Sequence, residues 1–216
     1  MAKNIDRQYR LARIWSNNEL KKFSSWFTEK VINVSAGENI DKQGSTYDSY
    51  FSECKEFWTS NYSPGSYRGF TGKKNELLID LEKDIKPELH KRFDVVYNHT
   101  TLEHVFNVFK AVENICNLSK DIVILVVPFA QVQHESDDGY LDYWRFTPTC
   151  VRRLFKERGF EVIYESCNND FNAAVYLFFI ASRNPDKWQD KFPEYKPISL
   201  AGEWIGKETK KKWWFF

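Results

Sequence analysis

A strand–helix–strand unit between residues 93 and 127 constrains the fold of this chain more than any other feature. An apolar segment at residues 93–97 ends in a polar turn at 98–101, and a second apolar segment runs from 122 to 127. Between them, apolar side chains recur at helical spacing, namely Leu102, Val105, Phe109, Val112 and Ile115. Two buried strands joined by one helix form a parallel pair with a right-handed crossover. The unit therefore predicts a parallel sheet.

The binding edge of such a sheet follows from its topology. Ligands bind in the crevice outside the carboxyl ends of parallel strands. In this chain those ends fall at residues 98–104 and 128–134. We therefore expect a ligand site built from these two segments.

Strands and helices alternate along most of the remaining sequence. Helices are predicted at residues 19–30, 45–54 and 147–158, and strands at 31–34, 57–60, 77–80, 160–165 and 173–181. In the last helix Thr147 is the predicted N-cap, Pro148 occupies the first turn and Gly159 ends the helix. This order predicts an α/β, doubly wound, mostly parallel sheet with a C-terminal antiparallel hairpin.

The chain divides into three parts by composition. Residues 1–30 form an N-terminal helical extension and residues 31–183 the central domain, and residues 184–216 form an appendage rich in Pro, Lys and aromatic residues. The aromatic end of the appendage, residues 207–216, either packs back on the domain or provides a surface for a protein partner.

Charge and cysteine content exclude several classes of function. Lys and Arg (31) nearly balance Asp and Glu (30), so the chain lacks the overall excess of basic residues that is typical of nucleic-acid-binding proteins. The four cysteines are scattered, without a metal-ligand spacing, so we predict no metal and expect reduced thiols. The longest apolar runs, 122–130 and 173–181, are too short to span a bilayer. We expect a cytoplasmic protein with no transmembrane segment.

Two sequence motifs resemble a known family. The segment Phe93-Asp-Val-Val, followed by Leu102-Glu-His-Val and a strand ending at Pro128, resembles the class I S-adenosylmethionine-dependent methyltransferases. The segment Asp142-Tyr-Trp-Arg-Phe-Thr-Pro is similar to a subgroup often found beside glycan-biosynthesis enzymes. The resemblance covers residues 31–183 and implies a Rossmann-like fold, S-adenosylmethionine as cofactor, and O-methylation of a sugar, a glycan precursor or a related small molecule.

The resemblance also implies a set of cofactor-binding residues. The family's first strand runs into a glycine-rich turn, where this chain has Ser35, Gly37 and Asn39. Asn tolerates left-handed backbone angles, so Asn39 can keep the shape of the turn. At the end of the second strand Asn61 replaces the usual carboxylate, whereas Asp80 follows the third strand as in the family. The full expected set is Ser35, Ala36, Gly37, Asn39, Asn61, Asp80, Leu81, Asn98, His99 and Thr100.

The candidate catalytic residues lie after the Pro128 strand. His134 is our candidate for the general base, because an imidazole titrates near neutral pH, and the alternative is a solvated loop histidine. Asp142 is the second catalytic candidate, and His104, Tyr143 and Arg145 are assigned to acceptor binding. Asp142 and Arg145 are equally suited to a local ion pair that holds the loop.

A different class of function stays open. The altered turn and Asn61 also fit a protein that kept the methyltransferase fold, lost catalysis and acts as a binding or scaffold partner. A nucleic-acid methyltransferase is disfavoured by the balanced charge.

Overall fold

A computed structural model describes residues 10–63, 69–135, 140–169, 174–198 and Ile205. Within these residues the helices are α1 (Leu11–Lys21), α2 (Tyr47–Tyr50), α3 (Val108–Leu118) and α4 (Pro148–Lys156). Its seven strands are β1 (Lys30–Val34), β2 (Glu56–Asn61), β3 (Glu76–Leu78), β4 (Phe93–His99), β5 (Ser119–Ala130), β6 (Glu161–Cys167) and β7 (Val175–Ser182). Short 3₁₀ turns occupy Ser24–Trp26, Pro87–Leu89, Leu102–His104 and Pro185–Trp188.

All seven strands belong to one sheet with the order β3-β2-β1-β4-β5-β7-β6. The first five strands are parallel, and β7 runs antiparallel to both β5 and β6. The predicted α/β sheet with a C-terminal antiparallel pair is confirmed. From β1 the chain continues to β2 and β3 on one side of the sheet, and from β4 it continues to β5 on the other side. The strand order therefore reverses between the adjacent strands β1 and β4, and a crevice opens at that point.

Two apolar layers cover the two faces of the sheet. On one face α3 and α4 pack through residues such as Val112, Ile115 and Phe155. On the other face α1 and the segment after it contribute Leu20, Phe23 and Phe27, among others. The central strands are consequently buried on both sides, which explains their almost continuous apolar sequences.

The N-terminal helix differs from the sequence prediction. It spans Leu11–Lys21, eight to nine residues earlier than the predicted 19–30, and a 3₁₀ turn covers Ser24–Trp26. The apolar side chains that suggested a helix at 19–30 are nevertheless buried, with Leu20 fully inaccessible and Phe23 5 % exposed. Tertiary packing buries them without helical periodicity, so the pattern misplaced the helix.

The helix after β4 also begins later than its apolar pattern predicts. Leu102–His104 is a 3₁₀ turn, Val105 is extended, and α3 starts only at Val108, capped by the Asn107 side chain. This break changes the helical register, so Phe109 is 60 % exposed instead of facing the core. By contrast, the predicted start of α4 is correct, since Thr147 accepts a hydrogen bond from the Cys150 N–H.

Two remaining features concern the ends of the chain and the membrane. The described part of the appendage lies on the domain, where Phe192 is 7 % exposed and its ring lies 5.1 Å from that of Phe23. The aromatic end at residues 207–216 lies outside the described residues.

Within the described ranges, no helix combines the length and the apolar character that a membrane span requires.

Candidate cofactor and acceptor site

A cavity of about 500 Å³ opens at the carboxyl ends of β1 to β4. Eight of the ten expected cofactor residues line it: Ser35, Ala36, Gly37, Asn61, Asp80, Leu81, His99 and Thr100. Three of the five expected catalytic and acceptor residues also line it: His104, His134 and Tyr143. The folded chain thus brings the two predicted groups to one cavity, of a size typical of small-molecule sites.

Four expected site residues lie behind the lining. Asn39 belongs to the turn after β1, and Asn98 is fully buried, where its side chain donates to the Val34 carbonyl at 2.9 Å. Asp142 and Arg145 pair with each other on the acceptor side. These four side chains support the cavity without forming its wall.

The turn after β1 adopts an unusual backbone. Ser35, Gly37 and Asn39 have φ angles of 58°, 58° and 61°, so three alternate residues are left-handed. Such angles are free of strain for glycine and tolerated by Asn. The Asn39 side chain accepts from Asn33 Nδ2 at 2.9 Å and donates to Asp48 Oδ1 at 2.8 Å, which holds it in this conformation.

Asn61, at the end of β2, is engaged by the same turn. Its Oδ1 accepts from the Gly37 N–H at 2.7 Å, and its Nδ2 donates to the Gly37 carbonyl at 3.0 Å and to Glu76 Oε1 at 2.7 Å. Burial opposes ionisation of Glu76, but hydrogen bonds from Asn61 and Thr71 lower its pKa overall. Since Asn61 is 3 % exposed and its amide is satisfied, it braces the turn and retains little capacity for a ligand.

Carboxylates line the opposite end of the cavity, after β3. Asp80 accepts from the Glu82 N–H at 2.9 Å through Oδ1, and its Oδ2 lies 3.3 Å from Lys83 Nζ. Its side chain is 23 % exposed, so lone pairs remain for a ligand's donors. Glu82 lines the same region and accepts from the Asn107 N–H at 2.8 Å.

His99 at the end of β4 forms a buried cluster with α1. Its Nε2 lies 2.8 Å from Ser16 Oγ, and its Nδ1 lies 3.1 Å from Arg13 Nη1. A guanidinium only donates, so Nδ1 is the acceptor and Nε2 carries the proton. Burial and the nearby Arg13 charge keep the pKa of His99 well below its usual value. His99 is therefore a neutral link between the sheet and α1.

Sequence reasoning missed Arg13 and Ser16. Both lie on α1, which was predicted eight residues further along the chain. A signal exists, however: Ser16 and Asn17 are polar and fully buried, which is unusual for a helix that only covers a core. Arg13 shares this polar side and lines the cavity.

Three aromatic side chains form the acceptor half of the cavity. The ring centroids of His104 and His134 are 4.8 Å apart, and Tyr140 lies 4.6 Å from His104 and 6.0 Å from His134. The Nδ1 of His104 lies 2.7 Å from the Leu141 carbonyl, so the proton of the neutral ring is on Nδ1. Burial, supported by His134, lowers the pKa of His104. Its Nε2 is consequently free of a proton at neutral pH.

Asp142 contacts His134 through its carboxylate. Its Oδ2 accepts from the His134 backbone N–H at 2.8 Å and lies 3.4 Å from His134 Nδ1. Arg145 grips the same carboxylate with both of its terminal nitrogens, at 2.5 and 2.6 Å. Burial opposes ionisation, but hydrogen bonds from Arg145 and His134 lower the pKa of Asp142 below its usual value. The carboxylate is thus ionised at neutral pH and oriented towards His134.

Glu103 lies beneath this half of the cavity. It is completely buried, and neither carboxylate oxygen has a hydrogen-bond partner among the described residues. Its Oε1 lies 3.8 Å from His104 Nε2. Burial raises the pKa of Glu103 to about 7. Its backbone carbonyl accepts from the N–H groups of Tyr143 and Trp144 at 2.7 and 3.2 Å, which anchors the acceptor loop.

The mouth of the cavity is lined by exposed apolar side chains. Phe106 is 66 % exposed and its ring meets that of Tyr143, itself 42 % exposed, at 5.3 Å. Leu141 and Tyr62 add exposed apolar surface at the same mouth. Among the described residues, no three His, Cys, Asp or Glu side chains are arranged to hold a metal ion.

Comparison with known proteins gives a likeness of structure. The sequence matches no protein-family model and no curated protein. A protein from Listeria monocytogenes described as an S-adenosylmethionine-dependent methyltransferase aligns over 78 % of this chain and 98 % of its own, at 13 % identity and a TM-score of 0.57.

Two further solved structures have the same architecture. Magnesium protoporphyrin IX methyltransferase from Synechocystis, with bound S-adenosylmethionine, aligns over 79 % of this chain and 80 % of its own, at 12 % identity and a TM-score of 0.53. A Haloferax volcanii methyltransferase complexed with its activator Trm112 aligns over 82 % and 92 %, at 12 % identity and a TM-score of 0.58. This chain has the class I methyltransferase fold. After β1 the described chain forms only the four-residue helix α2, and α1 covers that face of the sheet.

Proposed function

We propose that this protein is an S-adenosylmethionine-dependent methyltransferase that transfers a methyl group to a hydroxyl of a sugar, a glycan precursor or a related small molecule. One observation carries the proposal: a single cavity joins the left-handed turn after β1 to a pair of histidines on the acceptor side. Comparable proteins with the same fold bind this cofactor, including the Synechocystis enzyme.

Most of the residues expected to bind the cofactor line the cavity, which supports the proposal. The turn at Ser35–Gly37 allows close approach of a ligand to the backbone, and Asp80 offers a carboxylate for hydroxyl or amino donors. Leu81 and Thr100 complete this part of the lining. Asn61 is the exception, because its amide is engaged by Gly37 and Glu76, so we assign it to support of the turn.

When bound, the cofactor supplies an electrophilic methyl group. The residues of this chain then have to orient the acceptor and remove its proton. His134 is the proposed base. Asp142 holds its backbone N–H at 2.8 Å, and its ring Nδ1 lies 2.9 Å from Gln131 Nε2. His104 lies edge-to-face with His134 and has an unprotonated Nε2, so it accepts a hydrogen bond from a second hydroxyl of the acceptor. Tyr143 contributes an aromatic surface against which a sugar ring or an apolar group packs.

Calorimetric titration with S-adenosylhomocysteine tests the cofactor part of the proposal. We expect micromolar binding, followed by methyl transfer when nucleotide sugars and free glycans are supplied with the cofactor. An absence of binding at millimolar ligand contradicts the proposal. We place the enzyme in the cytoplasm, where its four cysteines, which form no disulfide, would stay reduced.

A second function is favoured by one observation. Asn61 occupies the Gly37 N–H and carbonyl, so part of the turn that would face a cofactor is already satisfied. This fits a protein that kept the fold and serves as a binding partner, and one structural neighbour is a methyltransferase bound to an activator protein. Failure to bind S-adenosylhomocysteine, together with recovery of a stoichiometric protein complex, would support this alternative.

A further inference from the structure

The appendage that follows β7 passes around one edge of the sheet. β6 is the edge strand, and successive side chains of a strand point to opposite faces. On one face the ring of Phe192 lies 6.2 Å from that of Tyr164. On the other face the Ile198 N–H donates to Glu165 Oε1 at 2.7 Å. Residues 192–198 therefore carry the chain from the face covered by α1 to the face covered by α3 and α4.

The chain continues on the face of α3 and α4. Glu165 is also bonded by Arg152 of α4, at 2.6 Å, and Ile205 packs against the apolar cluster of this face. The eleven residues 206–216 lie outside the described residues. An extended chain of that length reaches at most about 36–40 Å. Strand β4, which Phe106 follows, lies three strand spacings from β6, on the order of 14 Å. The segment is therefore long enough to cross this face.

An exposed apolar patch lies at the start of α3, beside the mouth of the cavity. We define the aromatic patch as Phe106, Phe109, Leu141 and Tyr143, which are 66, 60, 49 and 42 % exposed. The rings of Phe106 and Tyr143 lie 5.3 Å apart, so these two side chains form a continuous surface. Single exposed apolar side chains are common, whereas a cluster of them marks a surface that binds another group.

The aromatic end of the appendage, residues 207–216, complements this patch in composition and charge. Four aromatic residues stand in succession at Trp213–Phe216, and lysines occupy positions 207, 210, 211 and 212. Beside the patch, Glu82 accepts from the Asn107 N–H at 2.8 Å, and no basic side chain of the described residues lies within 4.0 Å of this carboxylate. An exposed carboxylate next to exposed rings suits a segment of lysines followed by aromatic residues.

We propose that the aromatic end, residues 207–216, docks on the aromatic patch of the same molecule. Trp213–Phe216 cover the rings of the patch, and the lysines face Glu82. Docking removes apolar surface from water on both sides, which is the dominant favourable contribution to such association. The covalent connection raises the effective concentration of the segment and favours its own patch over that of a second copy. The proposal does not depend on the proposed function, since neither cofactor nor acceptor enters the argument.

Fluorine NMR of the full chain labelled with 5-fluorotryptophan tests the proposal. The resonances of Trp213 and Trp214 are assigned with Trp213→Phe and Trp214→Phe, and their shift between H2O and D2O measures contact with solvent. We expect this isotope shift to be about half of its value in a free peptide of residues 206–216, since docking covers one face of each ring. Isotope shifts equal to those of the free peptide would overturn the proposal.

Substitutions in the patch make the test specific. Phe106→Asp combined with Phe109→Asp should raise the isotope shifts of both terminal tryptophans to the free-peptide values. Both phenylalanines are exposed, and unchanged resonances of Trp26 and Trp188 verify that the fold is kept. Leu78→Asp is the matched control, because Leu78 is a 53 % exposed apolar residue on the other edge of the sheet. Protection from solvent that survives the double substitution would contradict docking on this patch.

Two other occupants of the patch or the segment give different results. If the segment docks on a second copy, protection falls on dilution as the mass measured by light scattering changes from dimer to monomer. If it binds a lipid surface, the tryptophans are solvated in the protein alone and become protected only with vesicles of phosphatidylcholine and phosphatidylglycerol. Either result would overturn docking within one molecule, whereas protection that is unchanged on dilution of a monomer supports it.

Discussion

Asn61 holds Gly37 through both backbone groups of that residue, accepting from its N–H at 2.7 Å and donating to its carbonyl at 3.0 Å. An aspartate could make only the first of these bonds. The amide of Asn61 therefore closes the turn after β1 with a pair of bonds that a carboxylate could not make, at a position that also lines the cavity.

Replacing this amide tests its role. Asn61→Asp removes the donor to the Gly37 carbonyl and sets a second carboxylate beside Glu76, which lies 2.7 Å from the present amide nitrogen. We expect the free energy of unfolding to fall by about 1–3 kcal/mol, measured by urea denaturation. Asn18→Asp, an exposed change on α1, is the control. Unchanged stability with tighter binding of S-adenosylhomocysteine would contradict a bracing role and favour direct contact with the ligand.

The role of His134 is tested by comparing the effect of its loss on kcat with the effect on cofactor affinity. Under the proposed function, His134→Ala should lower kcat by about 10²- to 10⁴-fold, because the proton acceptor is lost. The dissociation constant of S-adenosylhomocysteine should change less than about twofold, since the acceptor half of the cavity lies apart from the turn after β1. The neighbouring variant Gln133→Ala serves for comparison, because its side chain is exposed and bonds to the exposed Glu135. An unaltered kcat would eliminate His134 as the base.

The Asp142–Arg145 pair should make stability sensitive to acid. The Asp142 side chain is fully inaccessible and Arg145 is 28 % exposed. Because the pKa of Asp142 is lowered in the folded state, its contribution is present above about pH 4 and is lost as the pH falls through the lowered value.

Asp142→Asn removes that contribution. We expect a loss of about 2–3 kcal/mol at pH 7, less than for a fully buried pair since Arg145 is partly solvated. At pH 3 the variant and the parent protein should differ much less, as judged by urea unfolding at both values. The exposed change Asp190→Asn should have little effect at either pH. A loss of equal size at pH 3 and pH 7 would show that packing, not charge, holds this pair.

Glu103 should act in the opposite direction. Its pKa of about 7 in the folded state lies above the usual value for glutamate, which is about 4.3. At pH values between these two pKa values, Glu103 is therefore more protonated in the folded protein than in the unfolded chain. The stabilising contribution of the protonated form is therefore complete below about pH 4 and is lost as the pH rises through 7.

Glu103→Gln separates this effect from other titrating groups. Glutamine is neutral and similar in shape, and in the described part of the chain neither Glu103 oxygen has a hydrogen-bond partner to lose. At pH 8 the variant should exceed the parent protein in unfolding free energy by up to about 3 kcal/mol, and the difference should shrink towards pH 5. The nearby His99 and His104 titrate in both proteins, so they largely cancel in the difference. If the difference in unfolding free energy between variant and parent does not change with pH, the pKa of Glu103 is not raised. The exposed change Glu88→Gln is the control for loss of a surface charge.

The local parts of the fold could be derived from the sequence because their signals are local. Thr147 and Gly159 mark the two ends of α4 through capping and a left-handed backbone, and both act as predicted. The apolar strands on either side of α3 specified a parallel sheet, since such strands are buried on both faces. The binding edge followed from that topology, which is why most of the expected cofactor residues line the cavity.

Other features depended on contacts between distant parts of the chain. Phe109 matched the helical period, yet the extended residue Val105 breaks the register before α3 begins. Arg13 reaches the cavity only because α1 packs over the end of β4, where His99, 86 residues away, receives its hydrogen bond. No sequence pattern relates two such residues, because neither periodicity nor capping extends beyond a few turns.

The sequence by itself thus determined the sheet, its binding edge and the residue types delivered to that edge. Only the tertiary structure decided what each side chain does there: Asn61 braces a turn, Asp142 accepts from the His134 backbone N–H, and Arg13 contacts His99. The physical reason is that strand order and burial follow from local hydrophobic patterns. The partner of a polar side chain, in contrast, is set by which remote segment packs against it.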